Sequence, residues 1–321
     1  MASLSLILVV VGLAVAAGIA GLSHLFRPRV LSLLERMPVE QQANLLLVWA
    51  LLPLLGGLLA VTAVLTPSLL AAAGLLADHC LPHGSHHSHL CLLHPGATPT
   101  VPWAGPLLGL LGSGLVLAGV GKVRRLVRAG RRWRTLRRVA PAASAAGVRI
   151  LGIDRPVAAT VGLLRPAVFL SRGLLCALSP GQQEAVTAHE AAHRRRRDPL
   201  RLALARIGGR FHLPASRRAL CGELELAVER AADEAAARTV GDRITVAETL
   251  LAVARMRPVP APGSGFTADP LEARVQALLD GANATERPWR GPASLLAVSS
   301  LALLVLSPQF HHGLETLLGH L

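Results

Sequence analysis

Four apolar stretches divide the chain, and each is a candidate membrane span because a helix needs about 20 apolar residues to cross a bilayer. They cover residues 4–24, 43–65, 103–120 and 292–307. Pro53 and Pro67 are positions where the second helix is expected to kink or end. A buried core helix is the alternative for each stretch, and it suits the short fourth one best. The pattern predicts a multi-pass α-helical membrane protein with about four spans.

The segment between the third and fourth stretches, residues 122–290, is polar and long enough to fold around its own core. A few strands are expected around residues 148–170, followed by helices, which predicts an α+β domain. This domain is inserted between spans three and four. Residues 1–121 then form the N-terminal membrane region, and residues 291–321 hold the last span and a short tail.

Basic residues are distributed very unevenly. Of the 33 Lys and Arg residues, three lie between the first two stretches and the rest between the last two. Cytoplasmic loops of membrane proteins carry excess positive charge, so the large domain is expected in the cytoplasm and both termini outside. The first stretch has no basic side chain before it, which argues against a cleaved signal peptide. Nucleic-acid binding is the other interpretation of a net charge of +14, but no such motif is present. Anionic lipid of the bilayer is an expected partner of this basicity, and a solvated helical face is the alternative.

The segment from His189 to His193 reads H-E-x-x-H. A helix start precedes it, where Ser179 can cap, Pro180 suits the first turn and Gln182 completes a capping box. Within a helix the two imidazoles lie one turn apart on one face, which is the arrangement that two zinc ligands require. The carboxylate between them, that of Glu190, is placed to accept a proton from water.

A catalytic zinc site needs a third protein ligand. The Ala-rich run at residues 222–234 predicts a second helix that Gly241 ends. Glu229 and Asp233 are four residues apart and share a face of that helix, so one can ligate while the other orients a ligand. Glu225 also lies one turn from Glu229 and is a competing ligand. Spacing alone leaves both glutamates open.

These motifs resemble those of the BlaR/MecR-type integral-membrane zinc metallopeptidases, relatives of the HtpX and CAAX-prenyl-protease gluzincins. The resemblance rests on three segments: HEAAHRRRRD at 189–198, GLLRPAVFL at 162–170 and ERAAD at 229–233. It implies a gluzincin-type domain and an edge strand at residues 167–170 beside the active site. A substrate peptide would add to that strand through main-chain hydrogen bonds.

The resemblance also implies the roles of the site residues. One zinc ion per chain is held by His189, His193 and Glu229. Glu190 is the general base, and Asp233 does not bind the metal but orients a ligand. The E-x-x-x-D pattern of the family favours Glu229 over the competing glutamate.

The function that the resemblance implies is a cytoplasmic endopeptidase that cuts a regulator, such as a winged-helix repressor of the BlaI type. The best-known members carry a penicillin-binding sensor domain after the last span. The residues after 307 are too few for such a domain, so direct β-lactam sensing is not expected. Two alternatives stay open: an HtpX-like quality-control protease of the membrane, and a metal-binding membrane protein without protease activity.

Residues 77–102, between the second and third spans, form a His- and Cys-rich loop that is expected on the outer face. Six of the 13 His residues lie there: His79, His83, His86, His87, His89 and His94. Imidazoles at this density can hold zinc, nickel or copper. A disulfide between Cys80 and Cys91 and a loop with no specific ligand are the alternatives.

Four residues of the large domain are expected to have structural roles. Cys176 and Cys221 lack metal-type spacing and are expected to be buried, reduced thiols. His212 is expected to pack, with a transition-state donor as the alternative. Asp198 is expected to be a helix cap or an arginine partner.

Overall fold

The computed structural model describes residues 2–75, 147–256 and 270–281, together with isolated positions between 102 and 135 and between 309 and 316. These residues are mostly helical and include one small sheet. The His- and Cys-rich loop at 77–102 and the predicted third and fourth spans lie outside the described residues, apart from those isolated positions.

Two long helices begin the chain, α1 at Ala2–Leu34 and α2 at Val39–Ala72. Both are long and apolar enough to cross a membrane. The helix α2 runs through Pro53 and Pro67, so neither proline ends it. Each helix extends well beyond the apolar stretch that predicted it, and α1 includes the basic segment that follows the first stretch.

The chain divides into two compact units, and the division cuts both long helices. The first unit holds residues 1–25, 52–124 and 288–321. Within it, a Cβ added to Gly57 would lie 2.6 Å from the carbonyl oxygen of Gly12, so the backbones of α1 and α2 touch where both residues lack a side chain. Small residues permit this close approach between apolar helices. Leu4 and Val64 are buried nearby.

The second unit holds residues 26–51 and 125–287. It therefore covers most of the predicted peptidase domain and adds the turn between α1 and α2. Its sheet contains β1 at Val148–Leu151, β2 at Ala158–Val161 and β3 at Ala167–Ser171. The α+β composition expected for this region is present, with strands followed by helices.

The strand order is β1-β3-β2, with β1 parallel and β2 antiparallel to β3. The expectation that residues 167–170 form an edge strand is wrong, because β3 is the central strand and is buried along its whole length. Its apolar sequence reflects burial on both faces and pairing on both sides. The edge strand next to the H-E-x-x-H helix is β2 instead.

Among the residues that the structure describes, six helices and one 3₁₀ turn follow the sheet. They are α3 at Arg172–Ala177, α4 at Pro180–Arg196, α5 at Asp198–Gly208, the 3₁₀ turn at Gly209–Phe211, α6 at Pro214–Val240, α7 at Arg243–Met256 and α8 at Pro270–Asp280. The predicted capping box of α4 is confirmed, with Ser179 and Gln182 bonding each other's backbone N–H. Gly241 ends α6 with a φ of 77°, as predicted.

The first turns of α2 pack into the second unit. Leu46, Trp49 and Ala50 share a buried cluster with Leu220 and Leu224 of α6. The predicted second span was placed at residues 43–65, yet its first nine residues belong to the second unit. Apolar composition does not distinguish a helix covered by lipid from one covered by protein, which is why the stretch looked uniform.

Candidate metal centre

The helix α4 brings the two histidines of the motif together. His189 and His193 are one turn apart, and their Nε2 atoms are separated by 3.0 Å. His193 is buried, and the side chain of His189 is 15% exposed. Two imidazole nitrogens this close can share a cation.

The helix α6 packs along α4 and supplies a carboxylate to the same point. One oxygen of Glu229 lies 3.6 Å from Nε2 of His189, and the other lies 3.5 Å from Nε2 of His193. Ligand bonds of ~2.0–2.1 Å at tetrahedral angles place neighbouring donors about 3.3 Å apart. The three separations bracket that value, so the donor set fits zinc.

The competing glutamate is elsewhere. Glu225 accepts a hydrogen bond from Arg206 at 2.9 Å, and both side chains are largely exposed. Within the described residues, the group of donors that could hold a metal ion comprises His189, His193 and Glu229.

Both histidines are oriented by buried carboxylates. Nδ1 of His189 lies 2.9 Å from Asp233, and Nδ1 of His193 lies 2.8 Å from Asp198. Both aspartates are 1% exposed. When each Nδ1 donates to a carboxylate, the lone pair of each Nε2 is directed at the shared point, as in many zinc proteins.

Asp198 makes the expected contact with arginine and a second contact that was not expected. It is an arginine partner, as predicted, receiving hydrogen bonds from Arg196 and Arg201. Its bond to His193 was not predicted. Arg201 in turn donates to Asn44 of α2 at 2.6 Å. Through Arg201, Asp198 therefore connects a candidate metal ligand with the first turns of α2.

Arg274 completes the cluster from α8. It forms a two-pronged bond to Asp233, with both distances 2.8 Å, and its third nitrogen lies 2.9 Å from Glu229. Nothing in the sequence singled out this arginine among the many others. Four carboxylates at this centre face three guanidinium groups, and a divalent cation offsets the excess negative charge.

Glu190 is fixed against the sheet. Its carboxylate accepts a hydrogen bond from the hydroxyl of Thr160 at 2.6 Å, and the Glu190 side chain is buried. Thr160 lies on the edge strand β2. The contact was not predicted, because it joins residues 30 positions apart.

The carboxylates govern the charge on His189. Burial alone lowers its pKa, but hydrogen bonds and attraction to Asp233 and Glu229 outweigh burial and raise the pKa to about 9. Burial raises the pKa of Glu229, yet His189 and Arg274 hold it at about 2. At neutral pH the metal-free centre therefore carries a protonated His189 beside ionised carboxylates.

Zinc binding is expected to release the proton of His189, because zinc takes only neutral imidazole. Zinc affinity should therefore rise about tenfold per pH unit between pH 7.5 and 8.5 and level off above pH ~9. In the metal-free protein, the interactions that raise the pKa of His189 also stabilise the folded state. This stabilisation is fully present below pH ~6.5 and is lost as the pH rises through about 9. Calorimetry in two buffers of different ionisation enthalpy measures the released protons, and a pH-independent affinity would contradict the assignment.

Replacing Asp198 with asparagine is expected to weaken zinc binding by roughly 10–100-fold, because His193 loses the charge that orients it. Asp280→Asn is the matched control, since Asp280 is an exposed residue of α8 that bonds Gln276. Chelator competition gives the affinities, and thermal unfolding of the metal-free variants separates an effect on the fold from one on the ligand. Equal affinities for the two variants would refute the role of Asp198.

The remaining predicted residues lie apart from this centre. His212 is buried and contacts the carbonyl of Trp49 at 3.2 Å, which agrees with a packing role. Cys176 and Cys221 are free thiols, but Cys176 is exposed and Cys221 only partly buried, so the expected burial is wrong for Cys176. Cys176 lies on the short helix α3, whose buried position is taken by Leu174. The six histidines of the loop predicted on the outer face lie outside the described residues.

Compared with known proteins, the chain matches no protein-family model, no curated protein and no solved structure.

Proposed function

We propose that this protein is a membrane-anchored zinc metalloendopeptidase whose active centre faces the cytoplasm. The convergence of two imidazole nitrogens and one carboxylate at metal-ligand spacing carries the proposal. The two aspartates behind the histidines strengthen it, because a chance cluster has no reason to satisfy both outer nitrogens. His189, His193 and Glu229 would hold the ion.

The reaction follows from the residues around that point. When bound there, zinc supplies Lewis acidity and lowers the pKa of the attacking water. Glu190 accepts the proton that the water loses as its oxygen bonds to the peptide carbonyl carbon. It then gives this proton to the amide nitrogen as the C–N bond breaks. Thr160 holds the Glu190 carboxylate beside the histidines during both transfers.

The edge strand β2 offers a place for an extended substrate. The backbone N–H of Ser171 donates to the carbonyl of Val157. The backbone N–H and C=O groups of alternate β2 residues therefore face β3, and those of the residues between them face away. The N–H and C=O groups of Ala158 and Thr160 thus point from the free edge. No strand pairs with this edge among the described residues. A peptide can add to it directly beside Glu190.

Ala158→Pro removes one outward N–H and is expected to reduce kcat/KM by about 3- to 10-fold, the equivalent of one net backbone hydrogen bond. Proline is tolerated on an edge strand where its nitrogen faces outward. Zinc affinity should not change. Ala158→Val keeps the N–H and is the matched control, with peptide-hydrolysis kinetics as the measurement. Equal kcat/KM values for the two variants would rule out substrate pairing at this edge.

The placement in the cytoplasm rests on the α1–α2 turn. This turn belongs to the same compact unit as the metal centre. Arg36 lies in this turn and Arg27 and Arg29 lie near the end of α1, and the unit as a whole is rich in arginine. Excess positive charge marks the cytoplasmic side of membrane proteins, so the turn and the peptidase domain belong on that side.

We further propose a cytoplasmic regulator as substrate, such as a winged-helix repressor of the kind that the motif resemblance suggests. The test compares new protein N-termini in cells that express the wild-type chain or its Glu190→Gln variant. One dominant, Glu190-dependent cleavage in a regulator supports the proposal. Many cleavages in membrane proteins would favour a quality-control protease instead. No Glu190-dependent cleavage under any condition would contradict peptidase activity.

A further inference from the structure

An exposed apolar surface lies at the C-terminal end of α5 and the turn that follows. Leu204, Ile207, Phe211 and Leu213 are 37, 49, 37 and 44% exposed. The first three follow one another at spacings of three and four, so they share one face of the helix and its 3₁₀ continuation. The opposite face packs inward through Leu202 and Ala205. We refer to the four exposed side chains as the α5 apolar face.

Four arginines lie next to this face along the chain. Arg206, Arg210, Arg217 and Arg218 are all exposed. Arg206 is paired with a glutamate, whereas the other three have no carboxylate partner among the described residues. An apolar surface next to unpaired cations suits the boundary between lipid headgroups and acyl chains, where each group meets its complement.

The face is attached to the candidate span. A Cβ at Gly208 would lie 2.4 Å from the carbonyl oxygen of Ala50 and 2.9 Å from Cα of Leu51, so the end of α5 touches the backbone of α2. His212 also contacts Trp49. From Leu52 onward, α2 belongs to the first compact unit. The remainder of α2, to Ala72, is about 31 Å long, which is sufficient to cross the hydrocarbon core.

We propose that the α5 apolar face lies in the cytoplasmic interface of the bilayer and that the neighbouring arginines bind anionic lipid headgroups. The contact of Gly208 with Ala50 and Leu51 favours lipid as the occupant, because the part of α2 that can cross a membrane begins at the next residue. The proposal rests on membrane insertion of α2 and does not depend on peptidase activity.

A consequence concerns the metal centre. The helix α5 begins at Asp198, the partner of His193, and ends at Gly208 against α2. One short helix therefore connects the lipid interface with a residue that positions a metal-ligand candidate.

Photo-crosslinking of the full chain tests the proposal. A benzophenone amino acid replaces Phe211 or, as a control, the more exposed Ile244 at the start of α7. The protein is placed in nanodiscs made of equal parts phosphatidylcholine and phosphatidylglycerol, irradiated and examined by mass spectrometry. Retention of bound zinc shows that each variant is folded, and cleavage activity is not needed as a readout.

Lipid adducts at position 211 but not at 244 are the expected result. The yield should fall several-fold in pure phosphatidylcholine, and also when Arg210, Arg217 and Arg218 are replaced together by glutamine. Adducts to a second protein chain, adducts of equal yield at both positions, or no lipid adduct at position 211 would each overturn the proposal.

Discussion

Replacing Glu190 with glutamine is expected to abolish peptide hydrolysis while leaving zinc bound. The amide has the size of the carboxylate and can still accept the hydrogen bond from Thr160, so the local structure is preserved. It cannot accept the proton of the attacking water, and loss of a general base slows such reactions by about 10²–10⁴-fold. The histidine and glutamate donors are untouched, so zinc content should equal that of the wild type.

The matched control is Glu184→Gln, which removes an exposed carboxylate from the same helix. Hydrolysis of a cleavable substrate and zinc content are measured for all three proteins side by side. The control should behave as the wild type in both assays. A Glu190→Gln variant that cuts at the wild-type rate would remove Glu190 from the mechanism, and a variant without zinc would show that Glu190 supports the metal instead.

Replacing Glu229 with glutamine is expected to lower zinc affinity by more than ~100-fold. Loss of a residue that only hydrogen-bonds to a metal ligand costs up to about that much, and here a ligand itself is lost. Glutamine keeps the side-chain length but not the charge. Arg274 would keep its bond to Asp233 and lose its ion pair with Glu229, and the centre would lose the excess negative charge that a divalent cation offsets. Cleavage should disappear together with the metal.

Glu225→Gln provides the control, since Glu225 lies on the same helix one turn earlier and bonds Arg206 at the surface. Chelator competition yields both affinities, and circular dichroism checks that the helices are intact. Wild-type affinity in Glu229→Gln would contradict the ligand assignment. A loss in Glu225→Gln as large as in Glu229→Gln would show that the effect is general destabilisation.

The parts of the site encoded by local signals could be predicted from the sequence. The capping box at Ser179, the absence of helix breakers before Pro199 and the glycine at 241 place the motif and its partner on two helices. Helical periodicity then puts the two histidines on one face. These features depend on residues within a few turns of each other, so a linear pattern contains them.

Features that depend on distant pairing could not be predicted in the same way. The strand at residues 167–170 was placed at an edge, yet it lies between two others. Strand order depends on contacts between segments that are distant in sequence. The apolar composition of a strand does not reveal which strands pair with it. The Thr160–Glu190 bond depends on this order and was therefore missed.

Arg274 was missed for a related reason. The chain has 33 Lys and Arg residues, so one arginine on a late helix carries no signal of its own. Only the packing of α8 against α6 brings it to Asp233 and Glu229. The second role of Asp198 was likewise invisible, since a helix cap and a histidine partner look alike in sequence.

X-ray absorption at the zinc edge is the most direct test of the central claim. The sample is the purified full chain with the six outer-loop histidines replaced by alanine, which leaves the α4–α6 centre as the predicted site. We expect one zinc per chain, bound by nitrogen and oxygen at ~2.0–2.1 Å with two imidazoles and no sulfur. Absence of zinc, or sulfur ligands at ~2.3 Å, would contradict a centre built from His189, His193 and Glu229.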